Sequence, residues 1–289
     1  MMALQTFLRA SGVAALLALT AGCVSIGAFN RFTPHDPGAR QVASGLAYGE
    51  GPRRTLDVYA PAAGAEGAPV LVFIYGGGWR SGAKEDHSFI GDAFAAHGFV
   101  TVIPDYRLAP ETQFPGFVDD AAQAIAWVEA NIAAYGGDPR RIVLAGHSAG
   151  AYNAMMAALD VRYAAAAGFD PRAIRGVVGL AGPYGFYFNN PIIRTAFGDA
   201  PDPANMHAIG FARADAPPLL LLTGDADRRV PVRASEEMAE AARAAGGQAQ
   251  LIIYPGLDHP GILQALAPAR RNRAPVFADA LAFAERVTR

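Results

Sequence analysis

Downstream of residue 54 the chain alternates short apolar runs with longer amphipathic ones, and few folds accept that pattern. The apolar runs are TLDVYA, VLVFIY (70–75), FVTVIP (99–104), RIVLAG (141–146), IRGVVGLAG (174–182), PLLLLTG (218–224) and AQLIIYP (249–255). Continuous runs of this length, rich in Val, Ile and Leu, suit strands covered on both faces. Between them the spacing predicts helices over about 86–97, 117–134, 149–159, 233–245 and 275–286. The clearest is DDAAQAIAWVEANI, where Ala121, Ile125, Val128 and Ile132 recur at helical spacing. Strand and helix in such regular alternation predict an α/β fold, a mostly parallel sheet with helices on both faces.

One stretch breaks the alternation. Residues 184–217, containing GPYGFYFNNPIIRTAFGDAPDPANMH, form a long connection between two strands, and loops of this length in a compact domain usually serve function. We read it as a small lid or cap inserted into one catalytic domain spanning residues 56–289. Phe186, Tyr187, Phe188 and Phe211 are candidates for lining an apolar pocket, with ordinary core packing as the alternative.

The chain is 52% apolar and 17% charged with a formal net charge of −2, which argues against the extended basic field that nucleic-acid binding requires. The short cluster Arg270, Arg271, Arg273 reads as a solvated surface. A single cysteine, Cys23, excludes an intramolecular disulfide. It follows MMALQTFLRASGVAALLALTAG, with one arginine, a short apolar run and then small residues. Such a segment is a targeting signal over residues 1–22 rather than a piece of the fold, and its apolar run is too short for a lasting transmembrane helix. Residues 23–55, rich in Gly, Pro and small side chains, read as a tether and a segment lying over the domain.

The chemistry centres on Gly146-His147-Ser148-Ala149-Gly150, a G-x-S-x-G between a predicted strand and a predicted helix. That context leaves a serine hydroxyl projecting from the strand's end, facing the unpaired N–H groups of the helix that follows. A neutral serine needs a base and an acid, which in this arrangement come later in the chain. His35, His87, His97 and His147 precede the serine and His207 precedes the candidate acid, so His259 in PGLDHPGI is the candidate base. The turn GDADRRVP offers Asp225 and Asp227. Asp227 is the expected acid, leaving Asp225 to hydrogen-bond within the turn, while Asp258 is too close in sequence to His259 to orient it.

The strand VLVFIY runs into Gly76-Gly77-Gly78. A phosphate loop fails by register, because Ala83 stands where lysine is required, and a dinucleotide fingerprint fails because Ser81 stands at the third glycine. What survives is a loop directing backbone N–H groups at charge that develops near Ser148.

YGGGW, DYRLAPE, YGGDPRRI, GHSAG, GDADRRVP and LDHPG, in this order from about Leu56 to the C-terminus, resemble the α/β-hydrolase esterases, particularly the hormone-sensitive-lipase-like and related carboxylesterase branch. The resemblance implies the α/β-hydrolase fold, with Ser148 as nucleophile, Asp227 as acid, His259 as base, and an oxyanion hole from the amides of Gly77, Gly78 and Ala149. It implies structural roles for Asp105 and Asp138, one tying down a loop and the other capping the junction before the serine. Tyr75 departs from it, since that branch usually carries histidine before the glycines. The implied activity is hydrolysis of carboxylic esters without a metal or organic cofactor, and the aromatic residues of the insertion, Phe186, Tyr187, Phe188 and Phe211, point to short to medium acyl chains as its substrates. A peptidase of prolyl-oligopeptidase type, an inactive binding lipoprotein and an acyltransferase are the alternatives. The residues ending in Gly22-Cys23 likewise resemble a lipoprotein signal, with Thr20 where leucine is usual. They imply lipidation of Cys23 and anchorage to a bacterial membrane surface, facing the periplasm; an ordinary cleaved secretory signal and an uncleaved or cytosolic chain are the alternatives.

Overall fold

The structure, a computed structural model, describes residues 25–185, 190–198 and 202–289. Eight strands, β1 (Ala39–Ala47), β2 (Thr55–Pro61), β3 (Ala68–Ile74), β4 (Val100–Pro104), β5 (Gly137–His147), β6 (Ile174–Leu180), β7 (Leu219–Gly224) and β8 (Ala249–Tyr254), form one sheet in the order β1-β2-β4-β3-β5-β6-β7-β8. The β1–β2 and β2–β4 pairs are antiparallel and every other pair is parallel. The helices are α1 (Ile26–Phe32), α2 (Ser88–Ala95), α3 (Gly116–Asn131), α4 (Ala149–Leu159), α5 (Val161–Ala167), α6 (Pro191–Phe197), α7 (Pro203–Met206), α8 (Val232–Ala244), α9 (His259–Gln264) and α10 (Val276–Val287).

The apolar runs occupy the centre of this sheet. Val70, Leu71, Val72 and Phe73 on β3 and Ile142, Val143 and Leu144 on β5 are wholly buried, as strands covered on both faces must be. Because β3, β5, β7 and β8 are parallel, their C-terminal ends converge on one edge, which carries Gly76–Gly78, Ser148, Asp227 and His259. This is the edge where open α/β sheets bind ligands.

The N-terminal boundary differs from the sequence reading. Residues 23–55 were expected to be tether and overlay, yet β1 is the sheet's edge strand and α1 docks on the start of α2. Phe29 packs edge-on against Phe89 at 5.4 Å, and the Asn30 carboxamide oxygen accepts from Ser88 Oγ and Phe89 N, each at 3.0 Å. Two register shifts break the alternation of β1. At the second, Asp57 Oδ1 accepts from Ser44 Oγ and Gly45 N, both at 2.9 Å, with Gly45 at φ 67°. A bulged, half-exposed edge strand has no clean period of two to detect. Residues 1–24, with Cys23 and the expected targeting segment, lie outside the described residues, as do Phe186, Tyr187 and Phe188.

Candidate active site

At the end of β5 the backbone turns sharply. Ser148 sits at φ 54°, ψ −124°, a conformation that costs a non-glycine residue about 1–3 kcal/mol, and α4 begins at the next residue. Its N–H donates to Leu180 O at 2.8 Å on the neighbouring strand. The flanking glycines are required by close approach. A Cβ at Gly146 would lie 2.5 Å from Gly150 O, and one at Gly150 would lie 2.0 Å from Ile74 O and 2.3 Å from Tyr75 O.

The serine hydroxyl, at 2.9 Å from His259 Nε2, starts a continuous series of hydrogen bonds. His259 Nδ1 meets Asp227 Oδ2 at 2.7 Å. The other carboxylate oxygen of Asp227 accepts from Arg229 N at 2.8 Å and Val230 N at 2.9 Å. Burial pushes the Asp227 carboxyl upward, but the hydrogen bonds from His259 and Val230 N, the imidazole's charge and the Arg229 amide outweigh it. The group is held below the usual carboxylate range. The structure thus brings Ser148, His259 and Asp227 together and sets the two rival acids aside. Asp225 Oδ1 accepts from Gly256 N at 2.6 Å, and Asp258 caps α9 by accepting from Gly261 N at 2.9 Å.

His147, which the sequence reading used only for elimination, has a place in this series. Its ring lies 4.7 Å from that of His259, and its Nε2 donates to the His259 carbonyl at 3.0 Å, tying the histidine loop to the serine turn. Burial, then the charge of His259, drives its basicity well below that of an ordinary histidine, so the ring is neutral at neutral pH. No local signal marks it, because its partner is 112 residues away.

Opposite the serine lies the glycine loop. A Cβ at Gly76 would lie 2.9 Å from Ser148 Cβ, so the loop's backbone passes directly beside the hydroxyl-bearing residue. Gly77 and Gly78 adopt φ 122° and 62°, and a Cβ at Gly77 would lie 2.0 Å from Ser81 O. The Gly77 carbonyl is turned into the loop, accepting from Arg80 N, Ser81 N and Ser81 Oγ, each at 3.2 Å. Among the described residues no acceptor engages the N–H groups of Gly77 or Gly78, and Ala149, as the first residue of α4, has no acceptor within its helix. All three residues line the cleft that holds Ser148 and His259.

Tyr75 fastens this loop. Its hydroxyl donates to Asp105 Oδ1 at 2.6 Å and accepts from Arg53 Nη2 at 2.7 Å, while its ring is stacked between His87 at 5.1 Å and Tyr106 at 4.8 Å. Tyr106 in turn donates to Tyr75 O at 3.0 Å, and Arg53 donates to Tyr106 O at 3.0 Å and Gly82 O at 2.7 Å. Trp79 closes the other end by donating to Asn153 Oδ1 on α4 at 2.9 Å. Asp138 accepts from Arg140 N at 2.9 Å and Arg141 Nε at 2.8 Å in the strand leading to the serine. Described residues of the insertion, among them Asn190, Ile192, Ile193 and Ile209, border the cleft; Phe211 is not among its lining and lies against the Arg162 guanidinium at 5.3 Å.

Sheet order, sharp serine turn and the Ser148–His259–Asp227 series together define an α/β-hydrolase. The fold is that of the α/β-hydrolases, and the chain is similar to esterases and carboxylesterases. Residues 56–187 match the BD-FAE family model. The chain is similar to the isoprenylcysteine alpha-carbonyl methylesterase ICME of Arabidopsis thaliana, 31% identical over 263 residues covering 83% of this chain and 61% of that one. It is similar also to esterase LipQ of Mycobacterium tuberculosis, 31% identical over 264 residues covering 83% and 62%. The chain therefore spans about three fifths of the length of these curated relatives. Among solved structures, a truncated carbohydrate esterase from gut microbiota superposes with a TM-score of 0.76 at 22% identity over 89% of this chain and 99% of that one. Apo Thermogutta terrifontis esterase 2 gives 0.68 at 25% identity over 87% and 94%.

Proposed function

We propose that this chain is a serine carboxylic-ester hydrolase. The observation that carries the reading is the unbroken series from Ser148 Oγ through His259 to Asp227, set beside unengaged backbone amides. In this reading His259 Nε2 takes the hydroxyl proton as Ser148 Oγ attacks the acyl carbon, and Asp227 holds the imidazole in the required tautomer and stabilises its charged form. The amides of Gly77, Gly78 and Ala149 receive the tetrahedral oxyanion; His259 returns the proton to the leaving alcohol, and water then releases the acyl group by the same steps reversed. None of these steps calls for a metal or organic cofactor.

The names of the relatives support ester bonds as the target, and the 184–217 insertion, read as a lid, would set preference among short and medium acyl chains. The same proposal includes export and lipidation of Cys23, which places the domain at a membrane surface facing the periplasm; its support is the sequence ending in Gly22-Cys23. Hydrolysis of p-nitrophenyl butyrate tests the activity: the wild-type chain turns it over, and Ser148→Ala, folded by circular dichroism, does not. Turnover by that variant at the wild-type rate rejects the reading.

A further inference from the structure

The helix nearest the lipidation site in sequence lies at the mouth of the active-site cleft. Residues Ile26, Phe29 and Phe32 of α1 line the same cleft as Ser148 and His259. The helix is fixed there: Phe29 packs on Phe89, Asn30 caps the start of α2, and His35 Nδ1 meets Asp92 Oδ2 at 2.6 Å. Only two residues, Val24 and Ser25, separate Cys23 from Ile26, a reach of at most roughly 10 Å even when fully extended. A lipid on Cys23 therefore holds the cleft mouth, rather than the far edge of the sheet, against the bilayer.

The chemistry of the mouth fits an anionic lipid surface. Phe32 is 81% exposed and Ile192, which lines the same cleft, 42% exposed, two of only four large apolar side chains left open among the described residues. The cleft is lined by six arginines against three carboxylates, in a chain whose net charge is −2. Arg228, Arg229, Arg270 and Arg273 have no carboxylate partner among the described residues. Arg271, within the same cluster, makes a two-pronged ion pair with Asp36 at 2.6 and 2.7 Å, locking the arginine segment to the chain that leaves α1. Exposed apolar side chains sharing one cleft with unpaired arginines are the composition of a surface that sits in anionic headgroups.

We propose that the cleft mouth docks on an anionic bilayer, with α1 and the Arg270–Arg273 segment in the headgroup layer, so that the ester enters from the membrane. This rests on the lipoprotein reading and adds an orientation to it.

The test uses the full lipidated chain reconstituted in vesicles of phosphatidylcholine, alone or mixed with phosphatidylglycerol. Cys23 is the only cysteine, so once acylated it leaves a single introduced thiol free for labelling. A nitrobenzoxadiazole label on Phe32→Cys should be quenched by spin-labelled lipid severalfold more strongly than one on Glu66→Cys, which precedes β3 at the opposite sheet edge. Phosphatidylglycerol should strengthen that quenching, and salt or the double change Arg270→Glu with Arg273→Glu should abolish the phosphatidylglycerol-dependent part. Equal quenching at the two positions, or quenching indifferent to the charge reversal, overturns the proposal. So does a charge reversal that raises KM for a soluble anionic ester while quenching is unchanged, which assigns the arginines to a small anionic substrate. The mass of the N-terminal peptide separates the two readings: a bare Cys23 thiol removes the anchor and the docking with it, whereas absent quenching on an acylated chain removes the docking alone.

Discussion

Tyr75 and Asp105, 30 residues apart, are joined by a 2.6 Å hydrogen bond inside the core, and that bond fixes where the three glycines lie. The tyrosine stands where the resemblance leads one to expect histidine, and it does the fastening through its hydroxyl. Burial, then Tyr106 and the Asp105 charge, raises its pKa far above that of a free phenol, so it remains a neutral donor at any working pH.

Tyr75→Phe removes that donor without changing ring volume. Asp105 keeps Lys84 N at 3.0 Å, but Arg53 and Asp105 each lose a buried partner. The expected cost is about 1–3 kcal/mol of unfolding free energy. Because the glycine loop follows directly, kcat should fall about tenfold or more with KM little changed, as read from denaturant titration and steady-state kinetics.

His147→Phe keeps a ring against His259 but deletes the donor to the His259 carbonyl. The base then loses its tie to the serine turn, and small misplacements of a catalytic group are costly. A fall in kcat of about tenfold to a hundredfold is expected, with a loss of stability of about 1 kcal/mol. A kcat equal to wild type would show that the bond does not position His259.

Gly150→Ala forces a Cβ to 2.0 Å from Ile74 O, and the obstacle is the backbone that carries the glycine loop. Destabilisation of about 3 kcal/mol or more is expected, measured as melting temperature or as loss of soluble protein. Gly210→Ala, whose nearest neighbour would be 3.9 Å away, should be tolerated.

Two buried histidines set the acid limb of stability. Burial drives His87 down to about 4, only partly opposed by its hydrogen bond to Ala83 O, and drives His147 still more strongly in the same direction. The unfolded chain protonates them near pH 6.5 while the native state does not, so both contribute stability that is complete above pH 6.5 and lost as pH falls. For His87 the loss runs from about pH 6.5 to about 4, at up to ~1.4 kcal/mol per pH unit. Unfolding titrations across this window should show a shallower slope for His87→Phe than for wild type.

The parts of the molecule legible in the sequence are those with local or unique signals. The buried strands announce themselves as apolar runs, the serine turn by glycines at two fixed offsets, and His259 by being the one histidine after the candidate acid. What was not legible depends on distant partners. Nothing near Tyr75 points to Arg53 and Asp105, nothing near His147 points to the His259 carbonyl, and the bulges of β1 erase the alternation that marks a strand. The arginine cluster read as plain solvated surface, because its relation to α1 exists only once Asp36 and Arg271 are paired.

The central claim is that Ser148 is a nucleophile activated by His259. Its most direct test is the mass of the intact chain after exposure to a fluorophosphonate at neutral pH, with peptide mapping of the adduct. A single adduct on Ser148, absent from Ser148→Ala and strongly slowed in His259→Ala, is the predicted result. An adduct on another residue, or labelling of Ser148 at an undiminished rate without His259, would contradict it.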